Sequence, residues 1–159
     1  MWQEIKNVYH LFVAFLANLW FGFPSRKITV IGVTGTDGKT TTVNLIYHIL
    51  KTSSRKASMV SSVGAVINGK VYDTGFHVTT PSSWQLQRFL KKAVEEGALL
   101  GNKNFLVPHS QTARHANSEN FIPSLRKPYL VLEVTSHALD QRRIWGIDFD
   151  IGVITNVTH

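Results

Sequence analysis

The sequence predicts an α/β domain with a mostly parallel sheet, preceded by an apolar N-terminal helix. Ile28–Val33 is a continuous apolar, largely β-branched run, as expected of a central parallel strand buried on both faces. A glycine-rich loop follows it, and Thr41–Lys51 then has apolar residues at helical spacing. Strand, glycine loop and helix open a βαβ unit, and further strand and helix patterns alternate after it.

The remaining elements follow from local patterns. Asn68-Gly69 predicts a hairpin turn. Ser82 and Gln85 have the spacing of a capping box, which predicts a helix start. The predicted elements are a strand at Ala57–Val60, a hairpin over Ala65–Tyr72, a helix from Ser82 to about Glu96, and strands at Tyr129–Val134 and Phe149–Thr155.

Residues 1–27 are predicted to be an amphipathic helix and a linker, and residues 28–159 the main domain. Val8–Phe23 is apolar but shorter than the roughly 20 residues that span a membrane. We expect the helix to pack on the domain or on a partner; the alternative is a helix in a membrane interface, beside Lys6, Arg26 and Lys27. The apolar positions at helical spacing are Ile5, Val8, Phe12, Phe15 or Leu16, Leu19 and Phe23.

Leu99–Pro128 is polar and has no periodicity, so it is interpreted as a polar insertion at about residues 99–128. His109 and His115 lie in it, but Glu119 is the one carboxylate near them. This spacing matches known metal sites poorly, and a solvated loop is the favoured interpretation.

Composition narrows the classes of function. The chain has 159 residues, of which 43% are hydrophobic and 17% charged, as in a globular domain. A net charge of +7 indicates anionic partners, but the scattered basic residues argue against nucleic acid. The absence of cysteine excludes disulfides, thiolate catalysis and cysteine–zinc sites.

The glycine loop has the chemistry of a phosphate-binding loop. Gly35 and Gly38 leave backbone N–H groups free to converge on an anion, Lys39 supplies a cation, and the Thr40 hydroxyl can bind magnesium. The common pattern G-x-x-x-x-G-K-[ST] fails, because its first glycine would fall on Val33. The alternative is a glycine-rich turn with a chance lysine. The residues predicted to bind ATP are Gly35, Thr36, Asp37, Gly38, Lys39, Thr40 and Thr41.

Glu133 ends the predicted third strand of the sheet. A carboxylate at the carboxyl edge of a strand beside the phosphate loop is well placed for magnesium. Burying Glu133 without a cation would be costly, which favours the metal role over a structural one.

At these residues the chain resembles the ATP-dependent Mur ligases, and most of all their UDP-N-acetylmuramyl-tripeptide synthetase branch. Four motifs occur in the family's order and cover most of residues 28–159 outside the polar segment. They are Gly32–Thr42 (GVTGTDGKTTT), Thr79-Thr80-Pro81, Glu133–Gln141 (EVTSHALDQ) and Asp148–Thr158 (DFDIGVITNVT).

The resemblance implies a cytoplasmic enzyme of peptidoglycan-precursor synthesis that uses ATP and Mg²⁺. Such a ligase phosphorylates the carboxylate of a UDP-N-acetylmuramyl peptide, and an amino acid then displaces phosphate from the acyl phosphate. It implies Lys39 and Glu133 as catalytic residues, and Thr40 and Glu133 as magnesium ligands. The substrate-binding residues that it implies are Thr79, Thr80, Thr135, Gln141 and Arg143.

The chain also departs from the family pattern. An apolar helix stands where this branch has a UDP-binding domain, Asp37 occupies a position that is often asparagine, and the pattern stops at His159. We therefore expect that this chain alone does not complete a ligation, and that a missing C-terminal domain presents the amino acid. The alternatives are a truncated, non-catalytic nucleotide-binding module, or a related amide ligase of the folate polyglutamate or cyanophycin type. A P-loop kinase or GTPase is less favoured, since no guanine-recognition motif is visible.

Overall fold

The computed structural model describes residues 2–74, 80–99 and 127–157. The elements are α1 (Trp2–Phe21), a 3-10 turn (Pro24–Lys27), β1 (Thr29–Thr34), α2 (Lys39–Thr52), β2 (Ala57–Ser61), β3 (Gly64–Ile67), β4 (Lys70–Tyr72), α3 (Ser83–Leu99), β5 (Tyr129–Glu133), α4 (Ser136–Asp140) and β6 (Ile151–Ile154). The predicted elements of the domain are present. His109, His115 and Glu119, and with them most of the predicted polar insertion, lie outside the described residues.

The six strands form one sheet in the order β4-β3-β2-β5-β1-β6. Strands β2, β5, β1 and β6 run parallel, while the hairpin of β3 and β4 continues the sheet in antiparallel pairing. Val33 of β1 stands in register with Glu133 of β5. The carboxyl ends of the four parallel strands therefore meet at one edge of the sheet, and the predicted mostly parallel α/β class is confirmed.

Alternating residues of β1 bury both faces of the sheet, as the apolar run predicts. Val30 packs in the cluster that includes α3, whereas Ile31 and Val33 pack with α2. A Cβ on Gly32 would come within 2.7 Å of the Phe149 ring, so glycine lets that ring lie against the strand. The sheet is thus covered by helices on its two sides, as is usual for parallel strands.

Strand β6 is shorter than the predicted Phe149–Thr155. The cause lies at Asp150, whose carboxylate Oδ2 accepts a hydrogen bond from the Val30 N–H at 2.8 Å. The side-chain carboxylate thereby accepts the hydrogen bond that a backbone carbonyl would accept in a regular parallel pair, so regular pairing of β6 begins only after Asp150.

Helix α1 packs on the domain through small and polar residues. Ala14, Ala17 and Asn18 are buried, and the Asn18 amide donates to the carbonyls of Ala14 and Trp145, both at 2.9 Å. Trp84 of α3 contacts the last turn of α1 through aromatic rings. The short side chains let the helix lie close to the turn that follows α4.

The large apolar residues of α1 lie on the opposite side. Ile5, Val8, Phe12 and Leu19 are 56–61% exposed, so most of the predicted apolar stripe does not pack on the domain. Phe15, at the border of the stripe, contacts the Trp145 ring. The exposed residues of the stripe are too bulky for the close approach that Ala14 and Ala17 allow. Within the described ranges, no helix is long and apolar enough to cross a membrane.

Replacing Asn18 with alanine tests how α1 is held. We expect Asn18→Ala to lower the free energy of unfolding by about 1–3 kcal/mol, since the partly buried Trp145 carbonyl loses its donor. Urea denaturation measures this. Leu19→Ala, which truncates an exposed neighbour, is the control and should change the free energy by less than about 0.5 kcal/mol. Equal losses in the two variants would contradict the anchoring role.

Candidate functional site

The loop between β1 and α2 depends on two glycines for different reasons. Gly35 has φ +141°, and a Cβ there would collide with Thr155 Oγ1 and lie 2.9 Å from the Asn156 carbonyl oxygen. Gly38 is the N-cap of α2 with φ +76°, but a Cβ there would meet nothing within 4 Å. Glycine is therefore needed at Gly35 for close approach and at Gly38 for the left-handed backbone.

Residues that follow β6 hold this loop in place. The N–H of Thr36 donates to the Asn156 carbonyl at 3.1 Å, and the N–H of Asp37 donates to Asn156 Oδ1 at 2.9 Å. Thr155 Oγ1 donates to the Asp37 carbonyl at 2.6 Å. Neither Thr155 nor Asn156 was predicted as a site residue from the sequence. Their position just after a strand of the same sheet was the available signal.

Lys39 lies folded back on the loop. Its Nζ donates to the carbonyls of Gly35 at 2.8 Å and Thr36 at 2.6 Å. Thr36, Asp37 and Thr41 are exposed beside it. A positive charge thus sits at the mouth of the loop, next to the positive end of α2, and an incoming anion can reach both.

A hydrogen-bonded group joins the start of α2 to the ends of β2 and β5. Glu133 is 2% exposed, and its Oε2 accepts from Thr40 Oγ1 at 3.0 Å and from the Ser62 N–H at 2.9 Å. The hydroxyls of Thr40 and Ser62 are 3.0 Å apart. The two predicted metal residues are therefore adjacent. Ser62 was missed, although it too follows a predicted strand at the same edge.

The chemistry of this group fits magnesium. Both donors to Oε2 are neutral, so the buried negative charge of Glu133 remains for a cation to compensate. A carboxylate and a hydroxyl are hard oxygen ligands, and Mg²⁺ commonly takes one or two carboxylates together with phosphate and water oxygens. Among the described residues there is no cluster of three or more His, Asp or Glu that could hold a metal. The ion would thus depend on bound phosphate for its remaining ligands.

Three of the predicted substrate residues lie together at the neighbouring end of the sheet. Thr80 and Thr135 place their hydroxyls 3.2 Å apart, and the Arg143 Nη1 donates to the Thr80 carbonyl at 3.2 Å. Gln141 is partly buried at the end of α4, where its N–H donates to the His137 carbonyl. Thr79 lies outside the described residues.

Arg143 keeps unused donor capacity. Its Nε is buried and has no hydrogen-bond partner among the described residues. Desolvation lowers the pKa of the guanidinium from its ordinary value. Both facts favour an anionic ligand, which would supply an acceptor and offset the cost of burying the charge.

The sequence is similar to known ligases over most of its length. It is 34% identical to the UDP-N-acetylmuramoyl-L-alanyl-D-glutamate--2,6-diaminopimelate ligase of Parabacteroides distasonis over 143 residues, which make up 90% of this chain and 23% of that protein. It is 33% identical to the Geobacillus thermodenitrificans ligase of the same name over 146 residues, 92% of this chain and 24% of that protein. It is 31% identical to UDP-N-acetylmuramyl-tripeptide synthetase 2 of Oceanobacillus iheyensis over 147 residues.

The fold is similar to that of a solved UDP-N-acetylmuramoyl-L-alanyl-D-glutamate--2,6-diaminopimelate ligase. The TM-score is 0.55 at 23% identity, over 83% of this chain and 20% of that one. The chain spans about a quarter of the length of the curated relatives it matches. The profile of the Mur ligase middle domain matches residues 33–101 and 101–159, which include both the phosphate loop and Glu133. The chain therefore belongs to the Mur ligase middle-domain family.

Proposed function

We propose that this chain is the ATP-binding part of a ligase of peptidoglycan-precursor synthesis. The whole enzyme adds an amino acid to a UDP-N-acetylmuramyl dipeptide through an acyl phosphate, in the cytoplasm. The observation that carries the proposal is the contact of Thr40, in the first turn after the phosphate loop, with the buried carboxylate of Glu133. This hydrogen bond connects the proposed phosphate-binding loop with the proposed magnesium ligand Glu133.

The loop binds the phosphates of ATP through positioned charge. The N-terminus of α2 faces the phosphates, and Lys39 leaves the carbonyls of Gly35 and Thr36 to pair with the outer ones. Phosphoryl transfer needs positioning and neutralisation of charge rather than covalent chemistry from the protein. Mg²⁺, held by Thr40 and Glu133, would supply further neutralisation of the phosphate charge.

The substrate lies against the end of β5 and the segment after it. Thr80 contacts both Thr135 and Arg143 there, and we assign Thr79 and Gln141 to the same site. Hydroxyl and amide groups suit sugar and diphosphate oxygens, and a guanidinium pairs with carboxylate or phosphate in two parallel hydrogen bonds. The division into residues 1–27 and 28–159, and the C-terminal domain that would present the amino acid, belong to this proposal.

Lys39→Ala tests the phosphate loop. We expect the dissociation constant for Mg–ATP to rise about 10- to 100-fold, because a charge-assisted hydrogen bond to phosphate is lost. Isothermal titration calorimetry measures this, and circular dichroism verifies the fold. Lys51→Ala, at the far end of α2, removes the same charge away from the loop and should leave the affinity unchanged. Unaltered binding in Lys39→Ala would remove the basis of the assignment.

Glu133→Gln tests the magnesium site, since the amide keeps the shape of the side chain and removes its charge. We expect ATP affinity with Mg²⁺ to fall to the level measured in EDTA. Glu95→Gln, which removes the same charge from an exposed position of α3, is the matched control and should keep the full Mg²⁺ dependence. A full Mg²⁺ dependence in Glu133→Gln would show that the ion binds elsewhere.

We also propose a peripheral contact of residues 8–23 with an anionic membrane surface. The exposed face of α1 includes Val8, Phe12, Leu19 and Trp20, between 59% and 75% exposed. Exposed Lys6 and Lys27 flank it, so apolar burial and charge attraction would act together.

Sedimentation with phosphatidylglycerol vesicles tests this contact. The wild-type chain should co-sediment less at high salt, because screening weakens the attraction of the lysines. Phe12→Ser together with Leu19→Ser should abolish it, while Leu45→Ser, on the exposed side of α2, should have no effect. If the chain ignores the vesicles, or forms a dimer through α1 instead, the membrane contact is refuted.

A further inference from the structure

The packed face of α1 carries polar residues toward the proposed substrate site. Asn7, His10, Ala14 and Asn18 recur every three or four residues, so they share one side of the helix. Asn18 is tied to the Trp145 carbonyl, and the Phe15 ring lies 5.9 Å from the Trp145 ring. This face therefore runs along the turn that begins just after α4 and contains Arg143.

His10 is partly buried on this face, and basic side chains from other elements act on it. Desolvation lowers the pKa of His10 most, and the charges of Arg143, His137 and Lys6 lower it further. Lys6 comes from the same helix, His137 from α4 and Arg143 from the turn after it. Lys6 and Arg143 are basic side chains, so an anion bound beside His10 would be attracted by them and would favour the protonated ring.

Three buried polar atoms in this region lack hydrogen-bond partners among the described residues. Arg143 Nε is a donor without an acceptor, whereas Asn7 Oδ1, one turn from His10, and Asn18 Oδ1 are acceptors without a donor. Leaving such buried atoms unpaired is unfavourable. A ligand with both an anionic group and hydroxyl groups would satisfy Arg143 Nε and Asn7 Oδ1. A phosphorylated or carboxylated sugar derivative has this chemistry.

We propose that α1 forms a wall of the substrate cleft and that His10, with His137 and Arg143, binds an anionic group of the substrate. The proposal rests on the proposed function for the identity of that substrate, but the anion site itself is defined by residues of this chain. The helix that stands before the phosphate-loop domain thus takes part in binding, in addition to packing on α3.

Histidine side-chain NMR tests the site in the Lys39→Ala background, where the phosphate loop no longer competes for anions. The probes are sodium pyrophosphate and UDP-N-acetylmuramyl-L-alanyl-D-glutamate. The ring resonances of His10 and His137 should shift saturably with either probe, and the pKa of His10 should rise, because a nearby anion favours the charged ring. His48, on α2, should not shift.

Variants separate binding from packing. His10→Ala and His10→Gln should raise the dissociation constant of the titrated probe about tenfold, as expected for the loss of a charge-assisted hydrogen bond. His48→Gln, which makes the same substitution at an exposed position of α2, should not. With an intact phosphate loop, His10→Gln should keep the affinity for Mg–ATP. Failure of the wild-type chain to bind Mg–ATP would refute the proposed function without bearing on the anion site. Resonances of His10 that stay fixed with both probes, or equal affinities in the His10 and His48 variants, would overturn the anion site.

Discussion

The buried carboxylate of Glu133 is the group on which the arrangement of this site depends. It ends β5, yet its hydrogen-bond donors come from the start of α2 and from the residue after β2. A charge with so little access to water is stable only when it is well paired. The same contacts that satisfy it also fix Thr40 relative to the sheet. A structural requirement and a proposed magnesium site therefore share one set of atoms.

The phosphate loop is shaped by contacts that are distant in sequence as well as by its own glycines. Asn156 accepts hydrogen bonds from two backbone N–H groups of the loop, and the Thr155 hydroxyl donates to a backbone carbonyl of the loop from the same side. These residues reach the loop because β6 pairs in parallel with β1. The loop is thus preorganised by strand pairing, and binding a phosphate would not have to order it first. Gly35 is the residue that makes this close approach sterically possible.

Helix α1 divides its residues between two roles. Small residues and Asn18 hold it on the domain, while bulky apolar residues remain exposed on the other side. The N-terminal half of the packed side carries His10, on the same side of the helix as Asn18, which is hydrogen-bonded to the turn that contains Arg143. In the two proposals made above, the packed side of this helix would line the substrate cleft and its exposed apolar side would contact a membrane surface. Both consequences follow from the 3.6-residue repeat, which separates residues only a few positions apart.

The sequence by itself determined the α/β class, the glycine-rich loop with Lys39, and the position of Glu133 at the end of a strand, because these signals are local in the chain. Periodicity, turn residues and glycine spacing are all contained in a few neighbouring positions. Only the tertiary structure decided where Ser62, Asn156 and His10 lie relative to these groups. Ser62 meets Glu133 because β5 lies between β1 and β2, and Asn156 meets the loop because β6 flanks β1. Strand order and the choice of the packed face of α1 depend on contacts between residues that are 71 to 127 positions apart in the chain, which no local pattern encodes.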